Sequence, residues 1–181
     1  MSSFSNRVIR ALRLDKNLFE EVEADEQATG QAMSVVILSC IAGGLGYGGL
    51  AGLRWIFLLT VTALAGWVIW AMITYIVGTK ILPTGQTSSN PGELLRTLGF
   101  AHAPGLFYIF GAAVPINRGK PVMFAVSLWI LAAWVIAVRQ ALDYTSTARA
   151  VAVCLIGWVF YMAASMFVMV FLKSFAALVG G

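Results

Sequence analysis

Apolar positions run along this chain in long unbroken blocks, not in the alternation of half-buried strands or the single stripe of a soluble helix. Five blocks approach the roughly 20 residues that cross a hydrocarbon core of about 30 Å. They are residues 32–53, 55–77, 97–116, 121–138 and 150–172. Continuous blocks exclude a membrane β-barrel, whose strands alternate in polarity over about ten residues. The predicted fold is all-α: a polytopic bundle of five transmembrane helices in residues 32–179, preceded by residues 1–31 as a cytoplasmic segment. No apolar signal-peptide core occurs in those first 31 residues, so the first block is expected to direct insertion.

The N-terminal segment carries a different pattern. On a helical wheel Phe4, Val8, Ala11, Leu12, Leu18 and Phe19 share one arc, while Arg10, Arg13, Lys16 and Asn17 lie opposite and Asp15 intrudes on the apolar side. This predicts a short basic amphipathic helix lying in the membrane interface. An acidic run follows, with Glu20, Glu21, Glu23, Asp25 and Glu26. It reads either as a solvated connector or as a docking strip for a basic partner.

Punctuation between the blocks is sparse. Arg54 alone separates the first two, which predicts a tight helical hairpin. The longer loop, residues 78–93, holds Pro83-Thr-Gly and Asn90-Pro-Gly, both turn formers. Ser89 or Asn90 is placed to cap a helix beginning at Pro91, with Glu93 in its first turn.

Composition fits the blocks. Hydrophobic residues make up 60% and charged residues 11% of the 181 residues, too few charges to cover a water-facing surface. Cys40 and Cys154 sit in apolar blocks and are no disulfide framework, and a single histidine, His102, cannot build a multi-histidine metal site. The net charge of +4 is dispersed between blocks, which points to orientation in an anionic bilayer and not to nucleic acid. Eight basic residues (Arg7, Arg10, Arg13, Lys16, Lys80, Arg96, Arg139, Arg149) fall on the N-terminal side of the bundle and four (Arg54, Arg118, Lys120, Lys173) on the other. That bias predicts a cytoplasmic N-terminus, and five spans then put the C-terminus outside.

Three groups of residues are candidates for function. Gly44, Gly48 and Gly52 recur every fourth position and give the first helix a small face, for packing within the chain, for a homodimer, or for a ligand- or lipid-contacting kink. In the third block, Pro104 has no backbone N–H to give the carbonyl of Phe100, so a kink is expected beside His102. An ionisable side chain at that depth is costly. It reads as a neutral histidine bonded to a neighbouring helix, as a proton- or ligand-handling group, or as a haem or metal ligand. Arg139, Asp143 and Arg149 form a cytoplasmic corner in which Asp143 can pair with either arginine. No nucleophile–base pair, metal-ligand spacing, phosphate loop or paired intramembrane carboxylates occur, so an enzyme and bound cofactors are not expected.

A family pattern runs through these landmarks. The chain has Arg10-Ala-Leu, Leu18-Phe, Ala28 and Gln31-Ala at its entry, then Gly66-Trp and Gly78. Pro91-Gly-Glu-Leu-Leu-Arg-Thr-Leu-Gly-Phe-Ala-His-Ala-Pro104 follows, with a glycine–aromatic–three-residue–proline element at Gly99, Phe100 and Pro104. Ser127-Leu-Trp129, Arg139-Gln-Ala-Leu-Asp143 and Thr147-Ala-Arg149-Ala complete the order. In this it resembles the Yip-domain family, five-span membrane proteins whose eukaryotic members interact with Rab/Ypt GTPases. It is similar to the compact prokaryotic members, with Asp15-Lys-Asn-Leu-Phe19 where eukaryotic members carry a longer cytosolic segment with an acidic-aromatic-Tyr-Gly-Pro motif.

The resemblance implies a non-enzymatic protein of a bacterial plasma membrane that organises the membrane or recruits a partner. Its companions would be the lipid bilayer and another membrane or cytoplasmic protein, or further copies of itself. The alternative is a small transporter or channel built around the broken third helix, since discontinuous helices make substrate sites in transporters.

Overall fold

The structure, a computed structural model, describes residues 2–48, 53–113 and 116–179, and within them every regular element is helical. Two short helices, α1 (Phe4–Leu12) and α2 (Lys16–Ala24), precede α3 (Ala28–Gly48) and α4 (Leu53–Ile76). A π-helical stretch, Val77–Ile81, extends α4 into what the sequence had suggested as loop. Then come α5 (Pro91–Phe100), a 3-10 segment (Ala103–Ala113), α6 (Ile116–Ala141) and α7 (Thr147–Val179).

Among the described residues three helical stretches are long and apolar enough to cross a membrane, Ala28–Gly46, Thr60–Ile81 and Lys120–Ala141, and Thr147–Ala163 within α7 is apolar as well. At most 33% of any of the three is buried inside the chain, so most of their apolar side chains point outward. Phe57, Phe124, Leu155 and Val159 are each at least 60% exposed. Such a surface suits lipid and not water. The chain is a membrane-embedded helical protein.

Its interior is built from small residues. Ala28, Ala32, Ala101, Ala103, Ala133 and Ala137 are fully buried, with Phe100, Leu94, Leu98 and Val138 filling the space between helices. Where lipid is as apolar as leucine, close backbone approach and dispersion contacts hold helices together. A Cβ on Gly99 would lie 2.7 Å from the Cβ of Ala32, so α3 and α5 touch there at a distance only glycine allows. Farther along, Ser39 meets His102 and Gly105, and Gly43 meets Tyr108. Both chain segments advance together, so α3 and the α5–3-10 unit run parallel.

The third block is interrupted at Pro104: α-helical hydrogen bonding stops at Phe100 and gives way to 3-10 geometry, because Pro104 cannot donate to a carbonyl four residues earlier. One expectation changes: the N-terminal segment is two helices, not one. Leu14 takes a left-handed conformation (φ 57°) and Asp15 then caps α2 by accepting from the Asn17 N–H at 3.0 Å. The apolar faces pack on protein: Ala11, Leu18, Phe19 and Val22 are fully buried, with α2 against α5 and α6.

Candidate functional site

The helix break is closed by its own residues. Asn90 starts α5 with a reciprocal cap, its Oδ1 accepting from the Glu93 N–H at 3.1 Å while Glu93 Oε2 accepts from the Asn90 N–H at 2.8 Å. Past the other end of α5, the backbone N–H of His102 turns to the Gly99 carbonyl at 3.2 Å, which leaves the carbonyl of Leu98 without its usual partner. The His102 ring replaces it: Nδ1 lies 2.7 Å from Leu98 O. A carbonyl only accepts, so Nδ1 carries the hydrogen. The expected bond to a neighbouring helix exists in another form, with Ser39 Oγ on α3 donating to the His102 carbonyl at 2.7 Å. Gly99, Phe100 and Pro104 are all buried around this seam.

Beside it lies a chain of rings. His102 meets Trp134 of α6 edge-on at 5.2 Å, Trp134 stacks on Trp70 of α4 at 5.2 Å, and Trp70 meets Tyr161 of α7 edge-on at 6.0 Å. Tryptophans in membrane helices ordinarily serve as packing or interfacial anchors. Trp67 fits that, donating its indole N–H to the Leu95 carbonyl at 3.1 Å. Trp70 and Trp134 do not, because both indole nitrogens, and the hydroxyl of Thr74 one turn from Trp70, are buried with no hydrogen-bond partner in the protein.

The second centre is the N-terminal pair. Arg7, 2% exposed, donates to Glu21 at 3.0 Å, Asp25 at 2.7 Å, Gln31 at 3.1 Å and Ser2 at 3.2 Å. Arg10 pairs with Asp15 at 2.8 Å and also with Glu21. All four ion pairs among the described residues lie here. Two of the five acidic residues of the run, Glu21 and Asp25, are therefore paired inside the segment, and Glu20, Glu21 and Glu23 lie in α2 and not in an unstructured connector. Burial alone would raise the Glu21 carboxyl, but hydrogen bonds from Ser2, Arg10 and Arg7 hold it down to about 2.

Arg96 ties this pair to the bundle. Almost fully buried, it donates to the carbonyls of Val22, at 2.9 Å, and Glu23, the open end of α2. Sequence reading had counted it only as a basic residue. Glu23 is half-buried there; burial, with Glu93, Asp143 and Glu20 nearby, outweighs Arg96 and pushes its carboxyl up to about 7. Glu20 accepts from the Gln140 side chain at 2.6 Å.

The corner between α6 and α7, expected on the cytoplasmic side, forms without the expected pairing. Arg139 donates to the carbonyls of Tyr144 and Thr145, both at 3.1 Å, and to the Thr147 hydroxyl at 3.2 Å. Asp143 takes a left-handed turn (φ 52°) and stays exposed, and Arg149 reaches the Pro83 carbonyl at 3.5 Å. Tyr144, unremarked in the sequence, shares its hydroxyl hydrogen between the carbonyls of Gly78 at 2.9 Å and Leu82 at 2.8 Å. Those carbonyls end the π-helical stretch, so one phenol closes α4 against the corner.

The glycine candidates divide. Gly44 is half-buried in α3, Gly48 ends that helix, and Gly52 lies outside the described residues. The seam against the 3-10 segment uses Gly43 and Gly46, where a Cβ on Gly46 would collide with the Tyr108 carbonyl. No three or more His, Cys, Asp or Glu among the described residues group closely enough to hold a metal ion. No family model matches the chain, and neither the curated proteins nor the solved structures contain a match.

Proposed function

We propose that this chain is a non-enzymatic, multi-pass membrane protein of the Yip-domain type whose cytoplasmic face recruits a partner protein and so organises the membrane around it. The observation that carries this reading is the built N-terminal pair. A segment dense in both charges is cross-paired through Arg7 and docked through Arg96, so its outer side is held as a surface. Asn6, Ile9, Arg13, Lys16 and Asn17 are exposed on it, with charge and one large apolar side chain together. The seam at His102 is satisfied by Leu98 and Ser39, which favours a structural joint over an open pathway.

In this reading the chain crosses a bacterial plasma membrane five times from a cytoplasmic N-terminus. The 10 residues of α5 and the 11 of the 3-10 segment reach about 37 Å together, enough for the third span. The transporter or channel reading keeps one observation in its favour, the 3-10 segment itself, since discontinuous helices line substrate paths.

Reporter fusions after Lys16 and within 84–89 are expected to report cytoplasm, and fusions within 117–120 and after Gly181 the outer side. A photo-crosslinker placed at Ile9 in cells is expected to capture one protein in stoichiometric yield, and Arg13→Glu to reduce it. Crosslinks to lipid alone, with a small molecule as the only stoichiometric companion of the purified chain, would sink the recruitment reading.

A further inference from the structure

We propose that the seam between α2, α5 and the α6–α7 corner is a proton-coupled clasp: α2 takes up a proton on Glu23 when it docks and gives it back when it lets go. The inference does not depend on partner recruitment. Glu23 stands in the last turn of α2, one residue before the helix ends at Ala24. The open carbonyls of a helix C-terminus carry partial negative charge, so a carboxylate there works against the helix dipole. The one cation at this end is already engaged: the Arg96 guanidinium donates to the backbone carbonyls of Val22 and Glu23, not to the Glu23 carboxyl. Among the described residues no ion pair reaches that carboxyl.

Acids close in on Glu23 from the elements packed against α2. From α5 comes Glu93, whose carboxyl caps its own helix at Asn90; from the α6–α7 corner comes Asp143; α2 itself adds Glu20, which accepts from Gln140 of α6. The other cations face elsewhere. Arg7 and Arg10 of α1 hold Glu21, Asp25 and Asp15, and the Arg139 fork is turned to Tyr144, Thr145 and Thr147. Lys16 is exposed at the opposite end of α2, about 10 Å away along the helix axis. A half-buried carboxyl among three others at the negative end of a helix is more stable neutral than charged. Burial and the neighbouring acids accordingly push it up to about 7. Once α2 lets go, water surrounds the group and its ordinary 4.5 returns. Docking therefore takes up a proton between about pH 4.5 and 7, and it weakens as pH rises through that window and levels off above it. Glu21, Asp25 and Asp15 are shifted the other way, so their contribution is complete by about pH 5 and leaves the window to Glu23. Because Arg7 ties α1 to α2, acidification on that side of the bilayer tightens both helices.

The test is hydrogen exchange of the full chain in dodecyl maltoside, at steps from pH 5 to pH 8.5 and corrected for intrinsic exchange. Amides of α2 are expected to open about 5-fold more often at pH 7.5 than at pH 5, with water at the half-exposed Glu23 limiting the effect, and to rise no further by pH 8.5. Amides of α6 should stay level, which separates loosening of α2 from unfolding of the bundle. Glu23→Gln, a permanently neutral side chain of the same shape, is expected to hold the slow rate across the whole range. Two further variants act on the neighbours and leave Glu23 in place. Glu93→Gln keeps an oxygen for the Asn90 cap, and Asp143→Asn suits the left-handed turn at that position. Each removes one like charge, so each is expected to shrink the rise and to end it at a lower pH than in the parent. These two carry the test should Glu23→Gln fail to fold. A parent rate that stays flat from pH 5 to pH 8.5 overturns the clasp. So does a rise that persists in Glu23→Gln, which would assign the proton to another group, or a rise that neither neighbour variant alters.

Discussion

Arg7→Met tests whether the N-terminal pair is held by its buried arginine or only by the apolar contacts of Leu18, Phe19 and Val22. The substitution keeps most of the aliphatic stem and removes bonds to Glu21, Asp25, Gln31 and Ser2. Breaking a fully buried ion pair costs about 3–5 kcal/mol. The two carboxylates are 31% and 16% exposed, so water recovers part of that, and about 2–3 kcal/mol remains. The pKa of Glu21 gives an independent gauge. A fall from 4.5 to about 2 is worth about 3 kcal/mol at face value, and screening at its exposure reduces this to about 1–2 kcal/mol. Hydrogen exchange on the full chain in detergent reads the effect locally. Amides of α1 and α2 are expected to exchange about 30- to 150-fold faster in the variant at pH 7, with α4 and α6 unchanged.

The pH dependence has a defined sign. Glu21, Asp25 and Asp15 are all held below their ordinary values by the arginines, so their contribution is present above those values and is lost as pH falls through the lowered ones. Wild type and Arg7→Met should therefore converge, after correction for intrinsic exchange, between about pH 5 and pH 2. Equal exchange at pH 7, or a difference that persists at pH 2, would refute the assignment of the lock to Arg7.

Glu23 should act in the opposite direction: its carboxyl is raised from 4.5 to about 7, so the penalty is absent below pH 4.5 and grows until about pH 7. Glu23→Gln is expected to raise the stability of α2 docking at pH 8 by about 1 kcal/mol and to leave it unchanged at pH 4.5, read by the same exchange assay. His102→Ala should lower the melting temperature through loss of about 0.6–2 kcal/mol, and His102→Asn, whose amide N–H lies near the Nδ1 position, should recover part of it. Recovery failing while packing is preserved would mean that the Leu98 bond carries nothing. Gly99→Ala should destabilise by about 1–3 kcal/mol through its contact with Ala32, while Gly85→Ala, with nothing within 4 Å, serves as the neutral control in the same melts.

Local chemistry was legible in the sequence and long-range pairing was not. The Asn90 cap and the break at Pro104 follow from a side-chain oxygen three residues from an N–H and from a missing N–H, both properties of a few adjacent residues. The apolar blocks gave the membrane helices for the same reason. Asp15 did announce the break between α1 and α2, as the one charge on the apolar arc, but it read as a flaw in one helix instead of the first residue of the next. The Arg96 bond to α2 spans more than 70 residues, and no spacing rule reaches that far. Leu98 could not be seen as needing His102, because its carbonyl is orphaned only once the backbone has turned to 3-10 geometry.

The arginines that carry the expected orientation bias are also the clamps at one end of the bundle, and the two roles can be separated. Arg7 joins α1 to α2 and α3, Arg96 joins α5 to the end of α2, and Arg139 closes the corner between α6 and α7. Orientation depends on charge, which lysine supplies equally well. Clamping depends on the planar fork, which addresses two or three acceptors at once and which an ammonium on a flexible stem does not reproduce. Arg96→Lys and Arg139→Lys should therefore leave the reporter within 84–89 cytoplasmic. Loss of one charge-assisted bond is worth about 1.5–3 kcal/mol, so exchange in α2 should rise about 10- to 100-fold for Arg96→Lys, and at the α6–α7 corner for Arg139→Lys. If the reporter moves to the outer side with its charge retained, bond geometry rather than charge sets the topology. If exchange stays at the parent rate, the buried fork at Arg96 does not hold α2, and its docking rests on Leu18, Phe19 and Val22 alone.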